Sequence, residues 1–315
     1  MTKPDHDPRL TERRNPRTPG IDTASPLEIV DLIAREDAAV PAIVAAARQE
    51  LARAIELIES SFRAAGRLVY IGAGTSGRLG VLDAAECPPT FGTDPEMVVG
   101  VIAGGPSALV RSAEGAEDDV AAARTAMEER LVSPRDTVVG IAASGTTPYV
   151  GAALERAHEL GAKTVLITSS DPPAALTPMC DLVIPIPVGP EVVTGSTRMK
   201  AGTATKLVLN TLSTGAMIRL GKVYGNLMVD LQAWSEKLID RGERILMETT
   251  GVDRAGARQA IDAADGSVKI AIVMLRLHVD RKEAEDLLAT HDGRLRPLLG
   301  DPPPPPPPPR PAATS

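Results

Sequence analysis

Three segments of this chain set glycine beside clustered hydroxyls: Gly72-Ala73-Gly74-Thr75-Ser76-Gly77, Ala142-Ala143-Ser144-Gly145-Thr146-Thr147-Pro148, and Glu191-Val192-Val193-Thr194-Gly195-Ser196-Thr197-Arg198-Met199-Lys200. Each precedes a stretch with helical character. Glycine lets a backbone turn tightly and approach a ligand closely, and the amides and dipole of a helix start favour an anion. Hydroxyls of Thr75, Ser76, Ser144, Thr147, Ser196 and Thr197, with the turns at Gly74 and Gly145, are therefore candidates to hold one phosphate. Arg198 or Lys200 is expected near that anion.

The first loop has the letter pattern GxGxxG of dinucleotide sites. Such a site wants an acidic residue about 20 positions on, at the end of the second strand. Here Asp94 and Glu96 precede that strand, and its end runs Ala103-Gly104-Gly105. The triphosphate pattern GxxxxGK followed by Ser or Thr is absent. Taken singly, the first loop also fits a plain glycine turn with Ser76 as helix cap, and the third fits capping by Ser196 or Thr197.

These loops need a scaffold. Apolar runs at 68–71, 97–103, 136–142, 163–168 and 181–187 alternate with helix-length segments, notably 118–131 and 148–160. Strands apolar throughout, separated by helices, predict a parallel sheet buried on both faces. The expected fold class is α/β, a doubly wound parallel five-stranded sheet with a small C-terminal helical domain. Ser25-Pro26-Leu27-Glu28 forms a capping-box start for a helix over 26–36. The run from Val40 to Ala65 predicts one long amphipathic helix ended by Gly66. Beyond Thr197 the pattern is helical over 198–218, 226–247, 253–263, 267–277 and 281–289. The expected organisation is an irregular, mobile segment 1–20, an α/β domain 21–247, a three-helix domain 248–300 and a disordered tail 301–315 containing eight consecutive prolines, Pro302 to Pro309.

Composition narrows the function. The chain has 315 residues, of which 43% are hydrophobic but only 2% aromatic, so Val, Ile, Leu and Ala must build its core. A net charge of −7, without a basic stripe or base-stacking aromatics, argues against nucleic acid as partner. No apolar run approaches the roughly 20 residues of a membrane span, and residues 1–20 lack the apolar stretch of a secretory signal. Cys87 and Cys180 suit two separate thiols in a reducing compartment, and the four histidines show no metal-ligand spacing. A cytoplasmic location without membrane contact is expected.

Together the three loops resemble the SIS (sugar isomerase) fold, which binds phosphosugars. Longer strings are more specific: Tyr70 to Pro89, Gly140 to Val150, Glu191 to Asn210, Glu114 to Asp118 and Gly221 to Leu231 resemble the N-acetylmuramic acid 6-phosphate etherase family over roughly residues 10 to 298. The resemblance implies an SIS-type domain followed by a small helical one. It implies cleavage of the D-lactyl ether of N-acetylmuramic acid 6-phosphate to N-acetylglucosamine 6-phosphate and D-lactate, without a cofactor, in amino-sugar catabolism and cell-wall recycling. It puts a catalytic acid at Glu86, within Asp83-Ala84-Ala85-Glu86-Cys87-Pro88-Pro89, and a second catalytic glutamate at Glu117. Thr146 departs from the pattern, which has Arg there.

The implied chemistry suits carboxyl groups. Ring opening makes C1 an aldehyde and acidifies the C2 proton; a base removes it while an acid protonates the departing lactate oxygen, and water then adds at C3. Such an acid must be neutral near pH 7, which burial or a like charge achieves. Leu82, Ala84 and Ala85 on one side of Glu86 and the prolines on the other suggest partial burial at a chain break. Ser76 and Glu86 are ten positions apart, about 15 Å along a regular helix. One hexose phosphate bridges that distance poorly, so Glu86 is expected to serve the pocket of a second copy in a homodimer. Two other functions share the fold: a phosphosugar-binding regulator of the glucokinase-regulator type, and a sugar-phosphate isomerase. A nicotinamide-dependent oxidoreductase ranks last.

Overall fold

The structure, a computed structural model, describes residues 9–174, 176–231 and 235–305. The expected disorder of the proline tail falls in large part outside these residues, as do residues 1–8. The chain divides into two compact units: Met1–Pro88 with Thr93–Ala216, and Pro89–Gly92 with Met217–Ser315.

In the first unit α1 (Pro26–Asp37), α2 (Val40–Ala46) and α3 (Arg48–Arg63) precede β1 (Leu68–Gly72). Then come α4 (Gly74–Phe91), β2 (Val98–Ile102), α5 (Val120–Glu129), β3 (Thr137–Ile141), α6 (Pro148–Glu159), β4 (Lys163–Thr168), β5 (Leu182–Pro185) and α7 (Lys200–Arg219). The capping box of α1 forms: the Glu28 amide donates to Ser25 Oγ, and the Ser25 amide donates to the Glu28 carboxylate. The single helix expected over 40–65 is instead two, because Ala47 leaves helical geometry at ψ 21°. Around Glu86 no chain break occurs; α4 runs through Pro88 and Pro89 to Phe91. Pro88 and Pro89 have no amide to donate one turn back, so the last turn of α4 goes without two of its hydrogen bonds.

All five strands are parallel, in the order β2-β1-β3-β4-β5. Strands β1 and β3 are buried at every residue, as their unbroken apolar runs require. Leu154, Met127, Val150 and Val138 form part of the core on one face. Register aligns the strand ends, Gly72 with both Ile102 and Ile141, so the loops that follow emerge at one level.

The second unit contains α8 (Glu236–Thr250), α9 (Arg254–Ala263), α10 (Val268–Leu277), α11 (Arg281–Thr290) and α12 (Leu295–Leu299). The helix expected over 226–247 starts only at Glu236, where Ser235 caps it. Tyr224, Val229, Leu231, Leu246 and Ile272 share its core. Buried Lys269 ties the connections together, donating to Asp230, to the Gly221 carbonyl and to the Gly293 carbonyl. Among the described residues no helix is long and apolar enough to cross a membrane.

Candidate functional site

The strand order creates one crevice. From β1 the chain crosses to β2 on one side, while β3 lies on the other, so the loops leaving β1 and β3 diverge at their carboxyl ends. Ligands of open α/β sheets bind at such a switch point. Here it opens a cavity of about 490 Å³. Gly74, Thr75 and Ser76 of the first loop line it, as do Ser144, Thr146 and Thr147 of the second and Gly195 and Thr197 of the third. The remaining candidates, Gly145 and Ser196, shape their turns without lining the cavity.

The first loop is built by glycines. Gly74 has φ +55°, a left-handed value suited to glycine, and α4 begins there. A Cβ on Gly77 would sit 2.6 Å from the Gly72 carbonyl oxygen, so only glycine lets α4 start so close to β1. The opening amides of a helix have no intrahelical acceptor, which leaves this turn able to bind an anion.

In the second loop Gly145 has φ +73°, and its amide donates to the Ala142 carbonyl at 2.9 Å. Thr147 is the N-cap of α6 yet makes no side-chain capping bond, so its hydroxyl is not spent on the helix. The Thr146 hydroxyl meets Ser144 Oγ at 3.1 Å. Thr146, where the resemblance leads one to expect Arg, thus has its hydroxyl bonded within the loop.

In the third loop the alternative of capping by Ser196 or Thr197 does not hold. The buried Glu191 carboxylate caps α7, accepting the Lys200 amide at 3.0 Å and the Ala201 amide at 2.9 Å. Burial raises its pKa, against those two bonds. Nor does the Lys200 side chain reach the cavity: it is buried and donates to Glu36 Oε2 at 2.7 Å.

The N-terminal segment, expected to be mobile, is packed over its described part. Thr11, Asn15 and Thr18 are buried. The Gly195 amide donates to the Thr11 carbonyl, Asn15 Nδ2 to the Pro190 carbonyl, and the Thr18 hydroxyl to the Val192 carbonyl. Arg17 and Asn15 also bond Glu36. This strap brings Arg9 and Glu12 to the cavity wall. Sequence reasoning missed both, and no local signal offered them, since a polar run without periodicity resembles disorder.

The two glutamates are placed differently. Glu117 follows Gly115, which has φ +74°, in a short 3-10 turn, and lines the cavity with Asp118. Glu117 also lines a second cavity of about 210 Å³, which shares Ala73 and Gly74 with the first and extends to Arg78 and Glu114. Glu86 lines neither. It is exposed on α4, contrary to the expected partial burial, about 15 Å beyond Ser76. One turn before it, Asp83 accepts the Tyr70 hydroxyl at 2.9 Å and the Ser213 hydroxyl at 3.2 Å. Burial above all raises the Asp83 pKa. These bonds fix the turn of α4 that leads to Glu86.

Both cysteines are free. Burial pushes the Cys87 thiol up to about 12 and the Cys180 thiol to about 11, so neither is a ready nucleophile. Among the described residues no group of three or more His, Cys, Asp or Glu is placed to hold a metal ion.

Comparison with known proteins agrees with this geometry. Residues 118–215 match the SIS domain, and residues 50–158 match the glucokinase regulatory protein N-terminal SIS domain. An N-acetylmuramic acid 6-phosphate etherase of Histophilus somni is 51% identical over 290 residues, covering 92% of this chain and 95% of that protein. Proteins of the same name from Edwardsiella ictaluri (50% identical; 94% and 98% covered) and Rhodopirellula baltica (51% identical; 93% and 96% covered) are equally similar.

Proposed function

The chain belongs to the N-acetylmuramic acid 6-phosphate etherase family, and on that premise we propose that it cleaves the D-lactyl ether of N-acetylmuramic acid 6-phosphate, giving N-acetylglucosamine 6-phosphate and D-lactate. The observation that carries this reading is the shared cavity. Three glycine-and-hydroxyl loops meet at the switch point of the sheet, and Glu117 stands in the same wall.

The 6-phosphate takes the amides of the turn at Gly74 and the hydroxyls of Thr75, Ser76, Ser144, Thr147 and Thr197. Gly145 and Ser196 hold two of these loops in shape. With the phosphate fixed and the ring open, C2 of the sugar faces Glu117. Glu117 takes the C2 proton, that C–H electron pair becomes the C2–C3 double bond, and the C3–O bond breaks. The departing lactate oxygen is protonated by Glu86. Water then adds across the double bond, hydroxyl to C3 and proton to C2, leaving no net redox change. The residues named supply this acid–base chemistry without a cofactor.

Glu86 reaches this cavity from a second copy of the chain. Its exposure, and its distance along α4 from the phosphate loops, support a homodimer in which each protomer lends its partner the acid. Two unpaired, high-pKa thiols are at ease in the reducing cytoplasm, where we place the enzyme.

The test is D-lactate release from N-acetylmuramic acid 6-phosphate by the wild type, Glu86→Gln and Glu117→Gln. Wild type should release lactate. Glu86→Gln should keep affinity for the product N-acetylglucosamine 6-phosphate and lose about 100-fold or more in turnover, the scale of general acid catalysis. Retained phosphosugar binding by a wild type that releases no lactate would instead indicate a regulatory binder.

A further inference from the structure

Besides its phosphate, the substrate assigned above carries a second anion, the carboxylate of its lactyl group. The reaction scheme gives that carboxylate no partner. Resting on the family reading, we propose that the smaller cavity is a carboxylate subsite in which the Arg78 guanidinium receives the lactyl carboxylate, and that Arg78 thereby selects lactyl ethers over other hexosamine 6-phosphates.

Connectivity comes first. The two cavities share Ala73, Gly74 and Glu117. Glu117, the group that acts at C2, therefore stands at their junction. With the phosphate and ring in the larger space of about 490 Å³, the C3 substituent on the neighbouring carbon can turn into the smaller one of about 210 Å³. The ether bond to be cut then lies across the boundary, and the leaving group already occupies its own chamber.

Chemistry comes second. Arg78 lies one turn into α4, and its Nε donates to the Leu109 carbonyl at 3.0 Å. That bond orients the planar group. No carboxylate of the described residues pairs with it, so its terminal N–H donors remain for a ligand. A guanidinium suits a carboxylate because its parallel N–H groups match the two oxygens. Ala73, Ala103, Ala108, Ala113 and Ala116 give the wall a small apolar part, beside Ser112, which suits the lactyl methyl. Glu114 and Glu117 also line the space, so it is no general anion trap. An incoming carboxylate is favoured only where the guanidinium can grip it.

The experiment compares wild type, Arg78→Gln and Arg78→Lys on three ligands. These are N-acetylmuramic acid 6-phosphate, the same compound with its lactyl carboxylate converted to the amide, and N-acetylglucosamine 6-phosphate as competitive inhibitor. Losing a charge-assisted pair should raise the KM of Arg78→Gln for the acid roughly 10- to 100-fold. Its inhibition constant for N-acetylglucosamine 6-phosphate, which lacks the lactyl group, should stay at the wild-type value, which also reports an intact fold. Wild type should disfavour the amide by a similar factor, Arg78→Gln should not distinguish amide from acid, and Arg78→Lys should recover part of the loss. The subsite is overturned if active wild type uses amide and acid equally, or if Arg78→Gln weakens the inhibitor as much as the substrate. If wild type releases no lactate at all, the family reading fails and the subsite with it.

Discussion

Lys200 Nζ lies 2.7 Å from Glu36 Oε2, with both side chains buried and 164 positions apart in the chain. The pair joins the first helix to the start of α7, and Arg17 and Asn15 complete the shell of donors around the carboxylate. It therefore holds the N-terminal strap against the third loop, and the strap brings Arg9 and Glu12 to the cavity. The lysine that the sequence suggests for the phosphate serves instead to hold the wall in place.

Removing one partner of a buried, hydrogen-bonded ion pair leaves the other charge uncompensated, at a cost of roughly 3–5 kcal/mol. Glu36→Gln strands Lys200 in this way and should lower unfolding stability by about 3 kcal/mol. In urea the midpoint should fall with the slope unchanged. Activity per folded molecule should fall as well, because the strap and the third loop lose their common anchor. A midpoint matching wild type would mean that the cluster contributes nothing net to stability.

The same carboxylate makes stability depend on acid. The hydrogen bond from Arg17 above all, helped by those from Lys200 and Asn15, holds Glu36 down to about 2 from its ordinary 4.5. The folded state thus binds this proton less readily than the unfolded chain. A depressed carboxylate stabilises fully above the unfolded value and loses that contribution as pH falls through the folded one. The window runs from about pH 4.5 down to about pH 2, and the amount is on the order of 3 kcal/mol. Unfolding free energy measured against pH should slope through this window in wild type and flatten there in Glu36→Gln. Equal slopes would remove Glu36 as the source.

Gly145 tests the second phosphate loop. Its φ of +73° is strained for any side chain, and a Cβ would lie 2.9 Å from Thr168 Oγ1. Gly145→Ala should cost about 1–2 kcal/mol in stability through backbone strain. It should also shift Ser144 and Thr147, and so raise the KM for the phosphosugar more than it lowers kcat. Calorimetric titration with N-acetylglucosamine 6-phosphate reads the binding loss directly. Wild-type affinity in this variant would show that the phosphate sits elsewhere.

What could be read from the sequence was local. Apolar runs such as Thr137–Ile141 are buried strands, and the glycines of the first loop serve a close turn, Gly77 against the Gly72 carbonyl. What could not be read depends on partners far along the chain. Thr18 bonds a carbonyl 174 positions away, and Glu191 caps a helix for which the letters nearby offered Ser196 and Thr197 only as an alternative to their place at the phosphate. The Ala47 break in the long helix has no glycine or proline at the site to announce it. Glu86 belongs to the same class: its neighbours suggested partial burial at a chain break, the carboxyl is instead exposed on a continuous helix, and its role depends on what covers that surface.

Two inactive variants can show whether Glu86 acts across a dimer. In a symmetric pair each site would take Glu117 from one protomer and Glu86 from its partner, because an isologous interface repeats every contact. Suppose Glu86→Gln and Glu117→Gln chains are mixed, dissociated and reassociated. A hybrid then has one site with both substitutions and one with neither. Random pairing makes half the dimers hybrids with one good site of two, so about a quarter of wild-type D-lactate release should return. Each variant alone, put through the same cycle, should stay inactive. If both glutamates of a site came from one chain, every site in the mixture would lack one of them and no activity would return. Recovery near a quarter therefore assigns the acid to the partner, and persistent inactivity returns it to its own chain.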